Sequence, residues 1–456
     1  MKREMYQPNV LVLLEPLRKL LHRGAAKRVV HLLSNVRAVD ISRIMTSLSD
    51  HDRKSLFAIL TAQNTKRAAN ILREIYPSVG ISFLDNSSKE ELVSILQELP
   101  SDDRAEIMGD MSDELREELL ELMRERESVE VQDLLRYGEK TAGRIMIPEF
   151  FALPEDAQVK HAIEYLQKST NVEMAFYLYV VSKYNHLLGV ISLRQLLLVP
   201  PETKLRDVMS PDVISVHPDT DQEEVARIVA RYNLLAVPVV DEQGKLLGII
   251  TVDDIVDIIR EEATEDFLKM AGIGAETILG KSTVKNFLTK LPWLLIPWLG
   301  EIVAANIINS FQGVLTKVIA LAAFIPVVMG MGGNIATQSA TIVVRGLVTG
   351  RINIKNIRKI IFREVIVAVL LGAVYGVMLG FITRLQMGSI PFLTLTVSLG
   401  IFCAMVIAAV VGSFGPLALQ KMGADPAVAS GPFVTTTTDI LGSAIYFSIA
   451  YFLLLR

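Results

Sequence analysis

The pattern of apolar and polar positions changes character along the 456 residues. As far as about residue 140, apolar side chains recur at helical spacing in short runs, which predicts short amphipathic helices. Segments opening Ser49-Asp50-His51-Asp52-Arg53, Pro100-Ser101-Asp102-Asp103-Arg104 and Ser112-Asp113-Glu114-Leu115-Arg116 resemble one another, and each begins on an N-cap type of residue. Stacked helical hairpins repeat in this way. Asp102, Asp103, Glu106 and Asp110 are expected mostly on a solvated face, with a cation as the alternative partner.

From about Ala142 a longer repeat follows. Arg144-Ile145-Met146-Ile147-Pro148 returns as Asp207-Val208-Met209-Ser210-Pro211, and the apolar stretches 179–181 and 187–192 return as 237–240 and 246–251. In the second copy the pattern predicts a helix over 223–232, a strand over 236–240, a turn at Gln243-Gly244 and a second strand. The repeat resembles a tandem pair of CBS modules. That resemblance implies a regulatory part that senses an adenine nucleotide or an ion.

An acidic run comes next: Asp253, Asp254, Asp257, Glu261, Glu262, Glu265 and Asp266, relieved only by Arg260 before Lys269. If one helix carries them, they crowd one side. Like charges four residues apart each cost about 0.2–0.5 kcal/mol, so such a helix gains from a divalent cation. An ordinary solvated linker helix is the alternative.

Beyond about residue 285 the chain offers five apolar spans, over 291–308, 318–344, 365–382, 393–417 and 427–455, each near the ~20 residues that cross a bilayer. Arg345, Arg351, Lys355, Arg358, Lys359 and Arg363 lie between the second and third spans, which places that loop and the amino-terminal half on the cytosolic side. The last span carries Asp439, sharing a helical face with Thr435, Thr436, Gly442 and Ser443. A carboxylate at the bilayer centre costs about 2.5–3.5 kcal/mol even on lenient scales, so Asp439 marks a pathway or ion site along a wet seam, or else holds helices together. Gly431-Pro432 is expected to interrupt this span and free backbone carbonyls. Glu301 in the first span is a second costly carboxyl that must line water, hold a proton or share a cation. In the second span Asn334, Gln338 and Thr341 fall on one face, and Gly330, Gly332 and Gly333 permit close approach or a break.

Composition narrows the classes. Hydrophobic residues make up 51% and charged residues 21% of the chain, and the charges concentrate before the spans, so the protein is half soluble and half membrane. The single cysteine, Cys403, excludes an intrachain disulfide and a cysteine-rich metal site. The first residues carry charges, and the run after them is too short for a secretory signal, so a cytosolic amino terminus is expected. A net charge of −4 without a basic stripe gives no sign of nucleic acid. An intramembrane metalloprotease would need His-Glu-x-x-His within a span, and all six histidines precede the spans.

The order of parts, with Met331-Gly332-Gly333-Asn334, Gln338-Ser339-Ala340-Thr341 and Gly431-Pro432 followed by Asp439, resembles the MgtE family of bacterial magnesium channels. The resemblance implies a multidomain fold: an all-α helical-repeat domain over 1–140, α/β tandem CBS modules over 141–260, an acidic connecting or plug helix over 261–286, and an α-helical five-span pore domain over 287–456. It implies no enzyme, a homodimer in the inner membrane, and a hydrated Mg2+ at Asp439. It also implies closure by cytosolic Mg2+ at Glu223, Asp254, Asp257, Glu262, Glu265 and Asp266, with Asp102 and Glu106 as further ligands; Asn334, Gln338, Thr435 and Glu301 are the expected pore-lining residues. Asn233 stands where relatives can carry an acid, and Glu301 departs from the family pattern. A carrier coupled to another ion, for Mg2+, Co2+ or Mn2+, and a membrane-tethered sensor that conducts nothing are the competing readings.

Overall fold

The computed structural model describes residues 10–75, 84, 88–168, 176–273, 283–348, 357–387, 390–423 and 425–455. The expectations for residues 1–9, for 274–282 of the connecting segment, and for Arg351 and Lys355 lie outside them. The chain forms two compact units, Met1–Ile259 and Arg260–Arg456.

In the first unit, short helices appear where the apolar spacing predicts them, and caps set two of the repeat starts. Ser49 Oγ accepts from Asp52 N at 3.3 Å, and Ser112 Oγ accepts from Leu115 N at 3.4 Å. The middle copy differs. Pro100 takes the cap position, so Ser101 lies inside the helix Ser101–Gly109 and its hydroxyl donates to Glu149 Oε2 at 2.8 Å. Of the acids expected on a solvated face there, Glu106 and Asp110 are exposed and Asp103 is half-buried, but Asp102 is corrected: it is only 7% exposed. Its helix turns that side toward the CBS modules, where Arg144 donates to Ala105 O at 3.1 Å. One continuous core runs from Leu17, Ile44, Leu72 and Met108 into Val225, Val237 and Ile250, so the helical domain and the second module share their interior.

Each CBS module supplies one sheet. Strand β1 (Ala152–Pro154) lies parallel to β2 (Tyr177–Val181), which pairs antiparallel with β3 (Leu187–Ser192). Strands β4 (Ala236–Val240) and β5 (Leu246–Thr251) pair antiparallel around a turn in which Gly244 adopts φ +78°. Asn233 ends the helix Gln222–Tyr232 in the left-handed region at φ +52°, a conformation asparagine tolerates better than most residues.

Among the described residues, the second unit holds five helices long and apolar enough to cross a membrane: Asn286–Ser310, Ile319–Leu347, Ile357–Met387, Leu393–Lys421 and Pro432–Leu454. Two boundaries differ from the sequence expectation. The third begins at Ile357, which puts Arg358, Lys359 and Arg363 on its opening turns rather than in the loop. The fifth begins at Pro432, after a short 3-10 turn Pro426–Ser430, so Gly431-Pro432 starts this helix instead of interrupting it. Proline is well placed there, because a first-turn N–H has no intrahelical partner to lose.

The fourth span is central, burying Val397, Ile401, Ala404, Met405, Ala408 and Ala409. Small residues let its neighbours close in. A Cβ at Gly412 would collide with the backbone carbonyl of Ala336 on the second span, and one at Gly400 would meet the Tyr446 ring at 2.5 Å. The second span stays helical through Gly330, Gly332 and Gly333, so these glycines make no break. Gly412→Val is expected to cost about 1–3 kcal/mol through overpacking against a backbone that cannot yield, whereas Gly330→Ala meets open space and should be tolerated; thermal unfolding of the two variants in detergent checks this.

Candidate functional site

The final span positions Asp439 half-buried, immediately after a run of four threonines, Thr435 to Thr438. The hydroxyls of that run are committed to their own helix. Thr435 and Thr436 donate to Pro432 O at 3.1 and 2.6 Å, Thr437 to Phe433 O at 2.8 Å, and Thr438 to Thr435 O at 2.7 Å. With its proton directed at a carbonyl, a threonine hydroxyl presents lone pairs, which suit a cation or its waters.

The first span meets this helix at Gly300, where a Cβ would collide with Thr436 Cγ2. The approach brings the next residue, Glu301, into hydrogen-bonding reach of Asp439. Carboxylates brought together in this way repel one another, and a cation between them relieves the repulsion. On the other side, Gly333 of the second span lies 3.8 Å, as a built Cβ, from Thr435 Cγ2, and the adjacent Asn334 is exposed together with Gln338 one turn on. The expected wet seam is thus narrower than the helical face. Thr436 and Ser443 are 7% and 1% exposed, and Ser443 donates to Met329 Sδ at 3.4 Å, so these residues pack against neighbouring spans while Thr435 and Asp439 remain accessible.

Sequence reasoning missed Glu364. It lies near the start of the third span, accepts from Ser339 Oγ at 3.0 Å, and lines a cavity of about 450 Å³ with Gln338, Ser339 and Arg363. No local spacing in the sequence ties it to Ser339, which lies 25 residues away on another span.

On the cytosolic parts, Asp253 and Asp254 start one helix, Val252–Met270, which also carries Asp257, Glu262, Glu265 and Asp266. Thr251 Oγ1 donates to Asp253 Oδ1 at 2.5 Å and to Asp254 Oδ2 at 2.6 Å. Arg73, closing the helix Thr65–Arg73, reaches Asp103 with Nε at 2.8 Å, and Asp253 and Asp254 with a terminal nitrogen at 3.7 Å each. Burial raises the Asp102 pKa well above the ordinary range, with the charges of Asp103 and Asp254 adding to it. Burial likewise pushes Asp103 up to about 6, against the pull of Arg73. The expected ligands Asp102 and Asp254 therefore do come together, around a guanidinium. Glu106 lies on the exposed side of its helix, its charge reaching Arg144, and Glu223 opens the helix Gln222–Tyr232 with Arg227 Nε 4.0 Å away.

In the second unit, Lys269 Nζ contacts Glu265 Oε1 at 2.7 Å and Asp425 Oδ2 at 2.5 Å. Burial opposes the lysine charge, but the two carboxylates hold its pKa above the ordinary value. Burial, then the charge of Asp425, pushes Asp266 up to about 6. The chain after this helix packs closely on the entrance to the last span: a Cβ at Gly431 would lie 2.6 Å from Met270 O, and one at Gly272 would lie 2.7 Å from Pro432 Cγ. Among the described residues, no three His, Cys, Asp or Glu side chains converge as a metal would require within one chain.

Family models match three parts of the chain: the MgtE intracellular N domain over 36–140, CBS domains over 142–202 and 205–261, and a divalent cation transporter domain over 325–449. The chain is 35% identical over 432 residues to the magnesium transporter MgtE of Bacillus subtilis, covering 94% of this chain and 95% of that one. It is 34% identical over 444 residues to the MgtE of Thermus thermophilus, covering 96% and 98%. A crystal structure of the cytosolic domain of the Mg2+ channel MgtE in complex with ATP matches with a TM-score of 0.51 and 34% identity, covering 54% of this chain and all of that one. Full-length likeness above 30%, the three domain matches in order and the five spans lead to one conclusion: the chain belongs to the MgtE family of magnesium transporters.

Proposed function

We propose that the chain carries Mg2+ across the inner membrane along the final span, with Asp439 as the cargo-binding carboxylate. The protein is a membrane transporter and not an enzyme, as the family is. The observation that carries the site is the meeting of Asp439 with Glu301 beside threonines whose hydroxyl protons are already committed. Mg2+ gives up water reluctantly and is usually held by one or two carboxylates with several waters retained. One such pair in each copy of a homodimer supplies carboxylates and lone pairs to a hydrated ion, with Asn334, Gln338 and Thr435 lining the approach. The division into a helical domain over 1–140, CBS modules over 141–260, a connecting helix over 261–286 and a pore domain over 287–456 belongs to the same reading.

Cytosolic Mg2+ closes the path in this proposal, acting on the acids of the connecting helix, Asp257, Glu262, Glu265 and Asp266, and on Glu223 and Glu106. Their crowding is relieved when a divalent cation binds, and a ligand shifts such an equilibrium only by its preference for one state. The CBS pair takes an adenine nucleotide; the ATP complex of the similar cytosolic domain supports this.

Uptake of Mg2+ into proteoliposomes tests the pathway. Asp439→Ala should reduce uptake to the background of empty liposomes while the protein remains a folded dimer, and equal uptake by both proteins would move the pathway elsewhere. Dependence of uptake on an imposed pH or Na+ gradient would replace a channel by a coupled carrier. Lys269→Met tests the closed arrangement: loss of a partly buried ion pair costs about 1 kcal/mol, so the Mg2+ concentration that half-inhibits flux should rise about fivefold.

A further inference from the structure

Arg73 is the cation at a joint where the sequence alone points to a metal. It comes from the helical domain, and the carboxylates it meets come from both sides of the joint. Asp103 belongs to the helical domain, whereas Asp253 and Asp254 follow the last strand of the second CBS module. Asp102, next to Asp103, is nine-tenths buried, and its Oδ1 has no hydrogen-bond partner. Three carboxylates thus meet one guanidinium, with Asp102 beside them, and the planar fork can serve several acceptors at once, as a lysine ammonium cannot. The acids are held in place independently of the arginine. Thr251 donates to both Asp253 and Asp254, and each lies at a helix start, where the backbone dipole favours negative charge.

We propose that Arg73 is a built-in counter-cation that fastens the helical domain to the second CBS module, so that this joint stays closed when cytosolic Mg2+ falls. Regulation by Mg2+ then falls on the other acids of the connecting helix, a consequence that rests on reading the protein as a Mg2+-regulated transporter. Removing the guanidinium leaves Asp102, Asp103, Asp253 and Asp254 facing one another without a positive charge. Their repulsion opens the joint, and a divalent cation closes it again. Arg73→Ala therefore converts a metal-independent joint into a metal-dependent one.

The test uses the full chain in lipid nanodiscs, with spin labels on Glu90→Cys and Arg231→Cys in a Cys403→Ala background, diluted with unlabelled protein so that distances within one chain are read. In the parent protein the distance distribution should be the same in chelator and in excess Mg2+. In R73A it should shift to longer distances in chelator and return with Mg2+; R73K, unable to span the acceptors, should behave in the same sense with a smaller shift. A parent joint that opens in chelator overturns the proposal, as does an R73A distribution that stays unchanged in chelator. If R73A does not fold, Asp103→Asn supplies the same comparison by removing the shortest contact: with Arg73 still present the joint should loosen only partly, and an unchanged distribution again overturns the proposal. Mg2+ uptake by the parent protein in liposomes is measured separately, and its absence would remove the transport reading while the label distances still decide this one.

Discussion

The structure depends on the cost of placing carboxyl groups where lipid would otherwise be. Asp439 and Glu301 meet that cost together, and they can do so only because Gly300 lets the first span touch the Thr436 side of the last. The same requirement explains the small residues of the neighbouring helices. A Cβ at Gly442 would lie 3.3 Å from Met329 Cε, and Gly412 admits the backbone of Ala336. Without hydrophobic attraction between helices in lipid, close backbone approach is what holds spans together, so the glycines that build the bundle also bring the polar atoms to one side.

Outside the membrane, acids face the same cost of repulsion, and the chain answers part of it with its own cations. Arg73 lies among Asp103, Asp253 and Asp254, and Lys269 bridges Glu265 and Asp425. A tethered cation differs from a free ion in one respect that matters for regulation: its local concentration does not follow that of the cytosol. Clusters containing an arginine or lysine are therefore partly neutralised at any cytosolic ion concentration, and under the proposed regulation a divalent ion has to compete with Lys269 for Glu265.

Periodic features were legible in the sequence. The CBS strands 236–240 and 246–251 and their Gly244 turn appear where alternation placed them, and all five spans exist with ends shifted by a few residues. What failed were inferences that needed a partner from a distant segment. Asp102 has the local pattern of a solvated acid, and only the fold brings a CBS module over it. Ser101 has the composition of a cap but follows a proline that takes the cap position, which frees its hydroxyl for Glu149. Gly431-Pro432 was taken as a break because proline disrupts helix interiors, yet at a first turn it initiates one. The residues around Asp439 followed the helical period, but the period does not say which neighbours cover a face, and so Thr436 and Ser443 turned out to be packed rather than wet.

The limited number of carboxyls at the site bears on what can pass. A dry hard cation needs six or more oxygens at close range, and a single chain offers two carboxyls there and no third converging acid among the described residues. An ion with a firmly held hydration shell needs fewer direct ligands, because acceptors at one water's remove can bind the shell. Thr435, the accessible member of the threonine run beside Asp439, provides such an acceptor at a fixed position, since donation to the Pro432 carbonyl prevents its hydroxyl from rotating its proton toward the ion. Soft donors contribute nothing at this point, with Cys403 on the fourth span rather than the fifth. Under the proposed pathway, such an arrangement suits a small divalent ion that keeps most of its water.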